Sequence, residues 1–585
     1  METSYRDVSG QLHHAPHATL RAVVDVLQAD RNGAPSRRLE PVLVSRGGPL
    51  AVGGGRHAEL TLVDGTALEL TVTAGRAGVP TDVPIGCHAL HVAANGWEET
   101  VTLVVPPAVM PRASSLDGRS GLFVPAYALW ELERPLPSFH HLGALAERLH
   151  IAGVEVLSTL PLYAALLDDP FDPSPYAPAS RLHWNELYLD DGGLPPGPDD
   201  GMAAVANGSI DWRHLATRRR RQLLEAATVL NDATRHELGR FAVVRPDVTD
   251  FADYRAGLET GDGRSAELVR SSHVLAQYLA NHQLAAVEGP GRAVLALDLP
   301  IGSHPRGYET WAFPELFASG MTVGAPPDDF FVEGQNWGFP PQLPGAGRRS
   351  GHELWQQLVA RAGEHASMLR IDHVMGVHRL WWIPAGAAAT EGVYVQYPRE
   401  ELLAVIAAEA HRSATTVVGE DLGTVAPDVR QAMRDWRVVG MYEEQFAADG
   451  RPRAAVPRNS VAGIRTHDMP AFAAFVTADE ANAERYRQRL QRELAHPVAA
   501  TSGGMLDAAL ERLTRSDAYL VLADLDDLVG ETAPHNVPGR ILPTTWRRRL
   551  RTPTSEVLAD PTVARRLGAL AGRRSPDGIC DRMHR

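Results

Sequence analysis

The chain has few of the features that mark several large classes of protein. It contains only two cysteines, Cys87 and Cys580, among 585 residues, which excludes a disulfide scaffold and favours a reducing compartment. No apolar run approaches the roughly 20 residues that a membrane-spanning helix needs, and the first seven residues lack the apolar core of a secretory signal. Acidic residues outnumber basic ones, and the formal net charge of −14 argues against nucleic acid as a partner. We therefore expect a cytoplasmic protein that binds neither nucleic acid nor a membrane.

What the chain does contain is an ordinary globular composition, with 44% hydrophobic and 22% charged residues. Its length predicts more than one domain. Residues 1–36 carry one short amphipathic helix and are predicted to form an N-terminal helical segment. In residues 37–110, short runs at strand period are separated by glycine turns, which predicts a β-sandwich domain. That domain is either a structural appendage or a carbohydrate-binding module.

Three short apolar runs later in the chain each lead into an acidic residue. The acids are separated by two equal intervals of 48 residues, enough for a βα unit of roughly 30 residues with some inserted structure. Reactive groups of a parallel α/β barrel lie at the carboxyl ends of its strands, so the pattern predicts three acids at one end of such a barrel. These acids are Asp372, Glu420 and Asp468, in the segments 369–373, 417–423 and 462–468.

Further runs of strand length complete a set of eight, and one of them ends at Asp298. Right-handed βα crossovers make a closed barrel the natural arrangement of such a set. The predicted fold class is therefore α/β, a (β/α)8 TIM barrel over residues 111–555 with an inserted helical subdomain at about 205–290. A basic run at 218–221 predicts a solvated helix face within that insertion. Residues 556–585 are predicted to be a C-terminal helical tail.

Several motifs together resemble one known family. Arg-Ile-Asp-His at 370–373, Gly-Glu-Asp-Leu-Gly at 419–423 and Thr-His-Asp at 466–468 occur in the order found in the 4-α-glucanotransferases, or amylomaltases, of glycoside hydrolase family 77. Segments 174–181, 311–317, 324–328 and 334–338 are similar to further segments of that family. The resemblance covers about residues 115 to 555. It implies transfer of α-1,4-glucan segments from a donor to an acceptor glucan through a covalent glycosyl-aspartate.

The resemblance also implies roles for individual residues. Asp372 would be the nucleophile, Glu420 the general acid/base, and Asp468 a third acid that holds sugar hydroxyls. Arg370, two residues before Asp372, would keep that carboxylate ionised, because a nearby cation favours the charged form. Segment 320–345 would be a lid loop over the cleft, and neither a metal nor a cofactor is needed. The expected substrate-binding residues are Arg370, His373, His467, Asp298, Tyr176, Asp328, Gln335, Trp337 and Asn536.

Other interpretations of the same residues stay open. A single strand-end acid is commonly a helix cap or an arginine partner, and an aromatic in a loop rich in proline and glycine can simply anchor that loop. Residues 133–139 stand where many family members carry a Trp-Gly-Ile-Gly-Asp-Phe-like segment beside the sugar-binding face. One alternative is therefore a related α-glucoside hydrolase or transglycosylase with an altered substrate. Another is a catalytically silent glucan-binding protein.

Overall fold

The computed structural model describes residues 1–6, 11–33, 37–169, 171–197, 204–206, 208–259, 265–327, 331–423, 425–447 and 455–573. The chain divides into two compact units. Unit 1 combines Met1–Arg112 with Ile301–Val438, and unit 2 combines Ala113–Pro300 with Val439–Arg585. Within the described ranges, no helix is both long enough and apolar enough to cross a membrane.

Short strands dominate the first 110 residues, and strands and helices both occur throughout the rest of the described chain. The strands are β1 (Ser4–Arg6), β2 (Leu12–His14), β3 (Val42–Val44), β4 (Gly48–Ala51), β5 (His57–Thr61), β6 (Ala67–Leu70), β7 (Val72–Thr73), β8 (Arg76–Val79), β9 (Gly86–Ala94), β10 (Trp97–Val105), β11 (Arg119–Phe123), β12 (Val156–Ser158), β13 (Tyr163–Ala164), β14 (Ser180–Trp184), β15 (Val205–Ala206), β16 (Ser209–Ile210), β17 (Val294–Leu299), β18 (Met321–Ala325), β19 (Gln335–Asn336), β20 (Met368–Ile371), β21 (Arg379–Pro384), β22 (Val393–Gln396), β23 (Thr416–Gly419), β24 (Gly440–Glu443), β25 (Ser460–Gly463) and β26 (Leu520–Asp524). The helices are α1 (His17–Asn32), α2 (Phe139–Ile151), α3 (Trp212–Thr228), α4 (Asp232–Val244), α5 (Pro246–Glu259), α6 (Ala266–Ala285), α7 (Tyr308–Ala312), α8 (Pro344–Arg349), α9 (Glu353–Gly363), α10 (Arg399–Arg412), α11 (Pro427–Trp436), α12 (Phe472–Ala478), α13 (Glu480–Leu494), α14 (Ser502–Thr514), α15 (Leu525–Val529), α16 (Thr554–Ala559) and α17 (Pro561–Ala571).

Two of the predicted acids, Asp372 and Glu420, directly follow strands of an eight-stranded sheet, and Asp468 lies five residues beyond the end of a third strand. The members of this sheet are β11, β12, β17, β20, β23, β24, β25 and β26. In unit 2, the strands β17, β12, β11, β26, β25 and β24 are neighbours in that order, and each adjacent pair is parallel. In unit 1, β20 and β23 form a parallel pair. These strands are buried, as a sheet covered by helices requires, and helices follow them along the chain. The predicted (β/α)8 barrel is confirmed.

The first part of unit 1 contains two further sheets. Five strands pair in the order β3-β10-β9-β5-β6, and three pair in the order β4-β8-β7. Alternate residues of β5 and β9 are buried, which is the period of a strand with one face on a core. Leu60 and Leu90 from the larger sheet share an apolar cluster with Ala77 and Val79 from the smaller one. Two sheets around one apolar core are the arrangement expected of a β-sandwich.

A four-stranded antiparallel sheet in unit 1, in the order β19-β18-β21-β22, takes in residues 321–325 and 335–336 of the segment predicted to be a lid loop. The apolar residues 381–384, which follow the Asp372 motif in sequence, form part of strand β21 of this sheet. A Cβ on Gly324 would lie 2.0 Å from the Gln335 carbonyl oxygen, so the hairpin of β18 and β19 requires glycine there. Helix α1 packs on the same sheet, with Val23 in one apolar cluster with Val323 and Trp382. The ends of the 320–345 segment are therefore held by regular structure.

The predicted helical insertion contains α3, α4, α5 and α6, all in unit 2. Three arginines of its basic run do not form the solvated face that the sequence suggested, whereas Arg221 is exposed. Arg218 and Arg219 are 5% and 1% exposed, and each forms an ion pair with Asp191. Arg220 pairs with Asp168 and Glu259. That prediction was wrong because acids distant in sequence neutralise the arginines, while the proposed domain boundaries stay predictions.

Candidate active site

The ends of β20 and β23 bring two of the predicted acids to adjacent positions within unit 1. Ile371 is paired with Gly419, and Asp372 and Glu420 are the next residue on each strand. The backbone pairing continues past the strand ends, because the Glu420 N–H donates to the Ile371 carbonyl oxygen at 3.0 Å. A Cβ on Gly419 would lie 2.9 Å from the Val374 side chain, so the glycine of the Gly-Glu-Asp motif permits this close approach. Neighbouring strands are about 4.8 Å apart, which sets the spacing of the two acids' backbones.

Side-chain contacts fix both carboxylates. An Asp372 oxygen lies 3.1 Å from the Arg370 guanidinium, and the Asp372 side chain is 21% exposed. One oxygen of Glu420 accepts the backbone N–H of His373 at 2.9 Å, and the other accepts that of Leu422 at 2.9 Å. Asp372 is thus a paired carboxylate that still reaches solvent, and Glu420 is oriented by two backbone donors.

The electrostatic environment of Glu420 contains opposing influences. Burial raises the pKa of Glu420 above its ordinary value, and the charge of Asp421 acts in the same direction. The Arg370 cation and the two backbone N–H groups oppose the rise. Burial wins, so the environment favours the neutral carboxylic acid more than water does. A protonated carboxyl beside an ionised one is the pair that glycosidic bond cleavage needs.

His373 and Trp337, the residue that follows strand β19, lie beside this pair of acids. His373 has left-handed backbone geometry, with φ of 45° and ψ of 61°, and its N–H is the one that holds Glu420. Burial, assisted by the positive charge of Arg379, lowers the pKa of His373 to about 4, so its ring is neutral near pH 7. The ring centroids of Trp337 and His373 are 5.1 Å apart in an edge-to-face contact, and Trp337 Nε1 donates to Gln335 at 3.3 Å. Unit 1 therefore brings six of the predicted site residues into one connected set.

Unit 2 holds a second connected set. The Tyr176 hydroxyl donates to Asp298 at 2.6 Å, and Asp298 is buried at the end of β17. The Tyr176 ring stacks on His467 with centroids 4.9 Å apart and an interplanar angle of 12°. His467 Nε2 lies 3.4 Å from an Asp468 oxygen, and Asn536 donates to the other Asp468 oxygen at 2.6 Å. The Asp468 side chain is 46% exposed, so it is held in place and accessible at once.

Sequence reasoning did not identify two residues of this set, Trp546 and Arg465. Trp546 lies 5.9 Å and 5.8 Å from the ring centroids of Tyr176 and His467, although nothing in its local sequence signalled that position. Arg465 lies in the segment 462–468, whose pattern predicts only a strand, yet its side chain is buried in an ion cluster three residues before Asp468. The predicted residue Asp328 lies outside the described residues. In the described part of the chain, no group of histidine, cysteine and acidic residues is arranged to hold a metal ion.

Comparison with known families fits these motifs. A family model described as 4-alpha-glucanotransferase matches residues 258–555, more than half of the chain. The chain belongs to the 4-alpha-glucanotransferase family. A family relative from Mycobacterium bovis is 29% identical over 587 aligned residues, covering 84% of this chain and 80% of the relative. A relative from Haemophilus influenzae is 27% identical over 460 residues, covering 67% and 65% of the two chains. Both are named 4-alpha-glucanotransferase.

Solved structures similar to this 4-alpha-glucanotransferase family member agree in fold. The amylomaltase from Corynebacterium glutamicum superposes with a TM-score of 0.86, covers 98% of each chain and is 22% identical. The amylomaltase from Streptococcus agalactiae, solved in complex with acarbose, has a TM-score of 0.69 at 20% identity and covers 78% of this chain and 98% of its own. At these identities the similarity establishes the shared architecture, including the barrel.

Proposed function

We propose that this chain is a retaining 4-α-glucanotransferase that moves α-1,4-glucan segments from a donor to an acceptor glucan. Membership of the 4-alpha-glucanotransferase family supports the reaction class. The observation that carries the proposal is the pairing of Asp372 and Glu420 across two adjacent parallel strands. Glu420 accepts the N–H of the residue that follows Asp372, so its carboxyl is held close to the Asp372 backbone. Retaining enzymes place their two carboxyl groups roughly 5–5.5 Å apart, a spacing that neighbouring strands suit.

In the first half of the proposed reaction, an Asp372 oxygen attacks the anomeric carbon of the donor. The bond to the glycosidic oxygen breaks as Glu420 transfers its proton to that oxygen. The shortened glucan leaves with a free 4-hydroxyl, and the remaining segment is held as an ester on Asp372. The Arg370 guanidinium, 3.1 Å from an Asp372 oxygen, supports this role, because a nearby cation favours the charged form of a carboxyl group.

In the second half, Glu420 is a carboxylate and acts as the base. It takes the proton from the 4-hydroxyl of an acceptor glucan, whose oxygen attacks the anomeric carbon. The ester bond breaks and Asp372 regains its negative charge. Two displacements on opposite faces of the carbon leave the α configuration unchanged.

The remaining predicted residues are assigned to sugar binding. We propose that Asp468 accepts hydrogen bonds from ring hydroxyls, which its half-exposed carboxylate can do while Asn536 holds it. Tyr176 and Trp337 would offer flat apolar surfaces to sugar faces, and neutral His373 would donate to a hydroxyl. Asp298, fixed by the Tyr176 hydroxyl, would accept from another. We also propose a cytoplasmic location, which fits the low cysteine content and is testable by cell fractionation.

The deciding experiment is incubation of the purified chain with maltotriose. The proposal requires a ladder of longer malto-oligosaccharides together with glucose, since each transfer lengthens one chain and shortens another. Reducing ends without any longer product would identify a hydrolase that uses water as acceptor. No turnover, with glucan still bound, would identify a silent binding protein.

A variant pair ties the ladder to the assigned nucleophile. Asp372→Asn should reduce transfer to background while leaving the melting temperature and glucan binding close to those of the unaltered chain. Asp428→Asn is the matched control, because it removes an acid of unit 1 whose partners are His378 and Arg399 on the surface. Near-normal transfer by Asp372→Asn would refute the assignment of Asp372 as the nucleophile.

A further inference from the structure

A buried ion cluster in unit 2 joins the ends of β25 and β26, and the mechanism proposed above does not use it. The Arg465 side chain is 1% exposed, and its Nε lies 2.9 Å and 3.1 Å from the two oxygens of Asp527. Its Nη2 forms an ion pair with Asp524 at 2.8 Å. Both aspartates are themselves buried, at 1% and 4% exposure. The guanidinium is therefore fixed on two sides by carboxylates of one short segment.

The third side of the guanidinium points at the turn that carries His467 and Asp468. Arg465 Nη1 donates to the carbonyl oxygen of Thr466 at 3.1 Å and to that of Met469 at 3.5 Å, one on each side of those two residues. Asp527 also accepts the backbone N–H of Phe472 at 2.9 Å, which holds the chain just beyond the turn. The turn is thus tied to the cluster before and after its two functional side chains.

The opposite side of Asp468 is held from the same acidic segment. Asn536, which donates to Asp468, directly follows His535. His535 is 1% exposed, and its Nε2 lies 3.0 Å from Asp526. Asp526 stands between the two aspartates that clamp Arg465. The acids of segment 524–527 therefore hold the turn that carries Asp468, and they also hold His535, the neighbour of the Asn536 that donates to Asp468.

We propose that Arg465 is a positioning residue, which fixes the turn at residues 466–469 so that Asp468 and His467 meet the sugar ring in a single orientation. The proposal rests on the proposed function, because it needs Asp468 to act on bound glucan. A planar guanidinium presents five N–H donors in a fixed fork, and here that fork serves two carboxylates and two carbonyls together. A buried ion cluster is weak evidence for stability, since its desolvation opposes its attraction. We therefore assign this arrangement to fixing the geometry of the turn rather than to stabilising the fold.

The test replaces the Arg465 guanidinium with a lysine ammonium, which keeps the positive charge and loses the planar arrangement of donors. The lysine of Arg465→Lys carries its donors on one nitrogen, so it cannot reproduce contacts that Arg465 makes from three nitrogens to two carboxylates and two carbonyls. A displacement of the order of 1 Å costs a catalytic group about 100-fold in rate, so we expect kcat on maltotriose to fall by roughly 10- to 100-fold. KM should change much less, because the substitution weakens an interaction that forms in the transition state. Arg512→Lys is the matched control: Arg512 is a largely buried arginine of unit 2 that pairs with Glu444 and Glu493, and its substitution should lower stability but preserve kcat.

A double-mutant cycle separates positioning from general damage. Arg465→Lys and Asp468→Asn are measured singly and together, with α-maltosyl fluoride as an activated donor so that residual rates stay measurable. If Arg465 acts through Asp468, its substitution should cost less than about threefold once Asp468 is absent, because coupled sites are non-additive. Equal losses in both backgrounds would overturn the proposal.

Two further outcomes complete the test. If Arg465→Lys fails to fold, Asp524→Asn weakens one of the two ion pairs and should give a smaller kcat loss in the same direction. An unaltered chain that makes no ladder from maltotriose would refute the proposed function. An active chain whose Arg465→Lys variant matches Arg512→Lys in kcat would refute only the positioning role.

Discussion

Glu420→Gln is the substitution that examines the proposed chemistry most directly. The change keeps the size and shape of the side chain and removes its transferable proton. In the structure, both oxygens of Glu420 accept backbone N–H groups, from His373 and Leu422, each at 2.9 Å. A glutamine has only one oxygen, so either orientation of its amide places an NH2 group against one of those donors.

The size of each effect follows from these contacts. A positioned general acid contributes about 10²- to 10⁴-fold, or roughly 2.7–5.4 kcal/mol of the barrier, and this part should be lost on maltotriose. The backbone N–H that loses its acceptor should lower the free energy of unfolding by about 1–3 kcal/mol. The variant should therefore fold with modestly reduced stability, and its loss of activity should far exceed its loss of folded protein.

The assay compares two donors. Maltotriose needs its leaving oxygen protonated, whereas α-maltosyl fluoride releases fluoride without an acid. We expect Glu420→Gln to react with the fluoride at a rate near that of the unaltered chain. Its next step should be slow because no base activates the acceptor, so a maltosyl ester should accumulate on Asp372, detectable by intact-protein mass spectrometry and peptide mapping. Azide, which needs no base, should release it.

The control is Glu409→Gln, which neutralises a buried glutamate on α10 of unit 1 that pairs with Arg412. It should lower stability and retain activity on both donors. Equal losses on maltotriose and on the fluoride would refute the acid/base role of Glu420. An ester found on any other residue would refute the role of Asp372.

Three further predictions follow from single contacts. Trp337→Ala removes the ring that lies against His373; it should raise KM for glucans several-fold and increase the ratio of hydrolysis to transfer, as measured by product analysis. Asp421→Asn removes a negative charge that raises the pKa of Glu420, so the decline of kcat/KM at alkaline pH should begin at a lower pH than in the unaltered chain. Tyr176→Phe deletes the 2.6 Å hydrogen bond to Asp298 and should lower the free energy of unfolding by about 1.5–3 kcal/mol in a denaturant titration. It should also lower kcat/KM on maltotriose, because Asp298 loses the contact that orients it.

The strand ends could be predicted because their signal is local. An apolar run that stops at an acid, as before Asp372 and Asp298, predicts a strand. It also predicts that the acid lies at the carboxyl end of that strand. The same signal predicted β23 before Glu420, where Gly419 also marks the close approach of Val374. The eight-stranded sheet followed from counting such runs, and its parallel pairing followed from the lengths of chain between them.

The rest depended on contacts between residues far apart in sequence. The segment expected to be a lid loop contributes strands β18 and β19. β18 pairs with β19 on one side and, on the other, with β21, whose residues lie about 60 positions later in the chain. Arg219 is buried because Asp191 neutralises it. Arg465 gave no signal of its role, since Asp524 and Asp527 follow it by about 60 residues. Charge alone predicts exposure, and only a three-dimensional partner reverses that expectation.

In the proposed reaction, Glu420 has to serve two opposite purposes, and its contacts suit both. It must carry a proton when the donor binds and must be ionised when the acceptor attacks. Burial favours the neutral form, while Arg370 and two backbone N–H groups favour the anion. The effect of burial suits the acid half of the proposed reaction, and the effect of the N–H groups and the cation suits the base half. These opposing influences on one carboxyl fit a group that changes its protonation state once in each half of the proposed cycle.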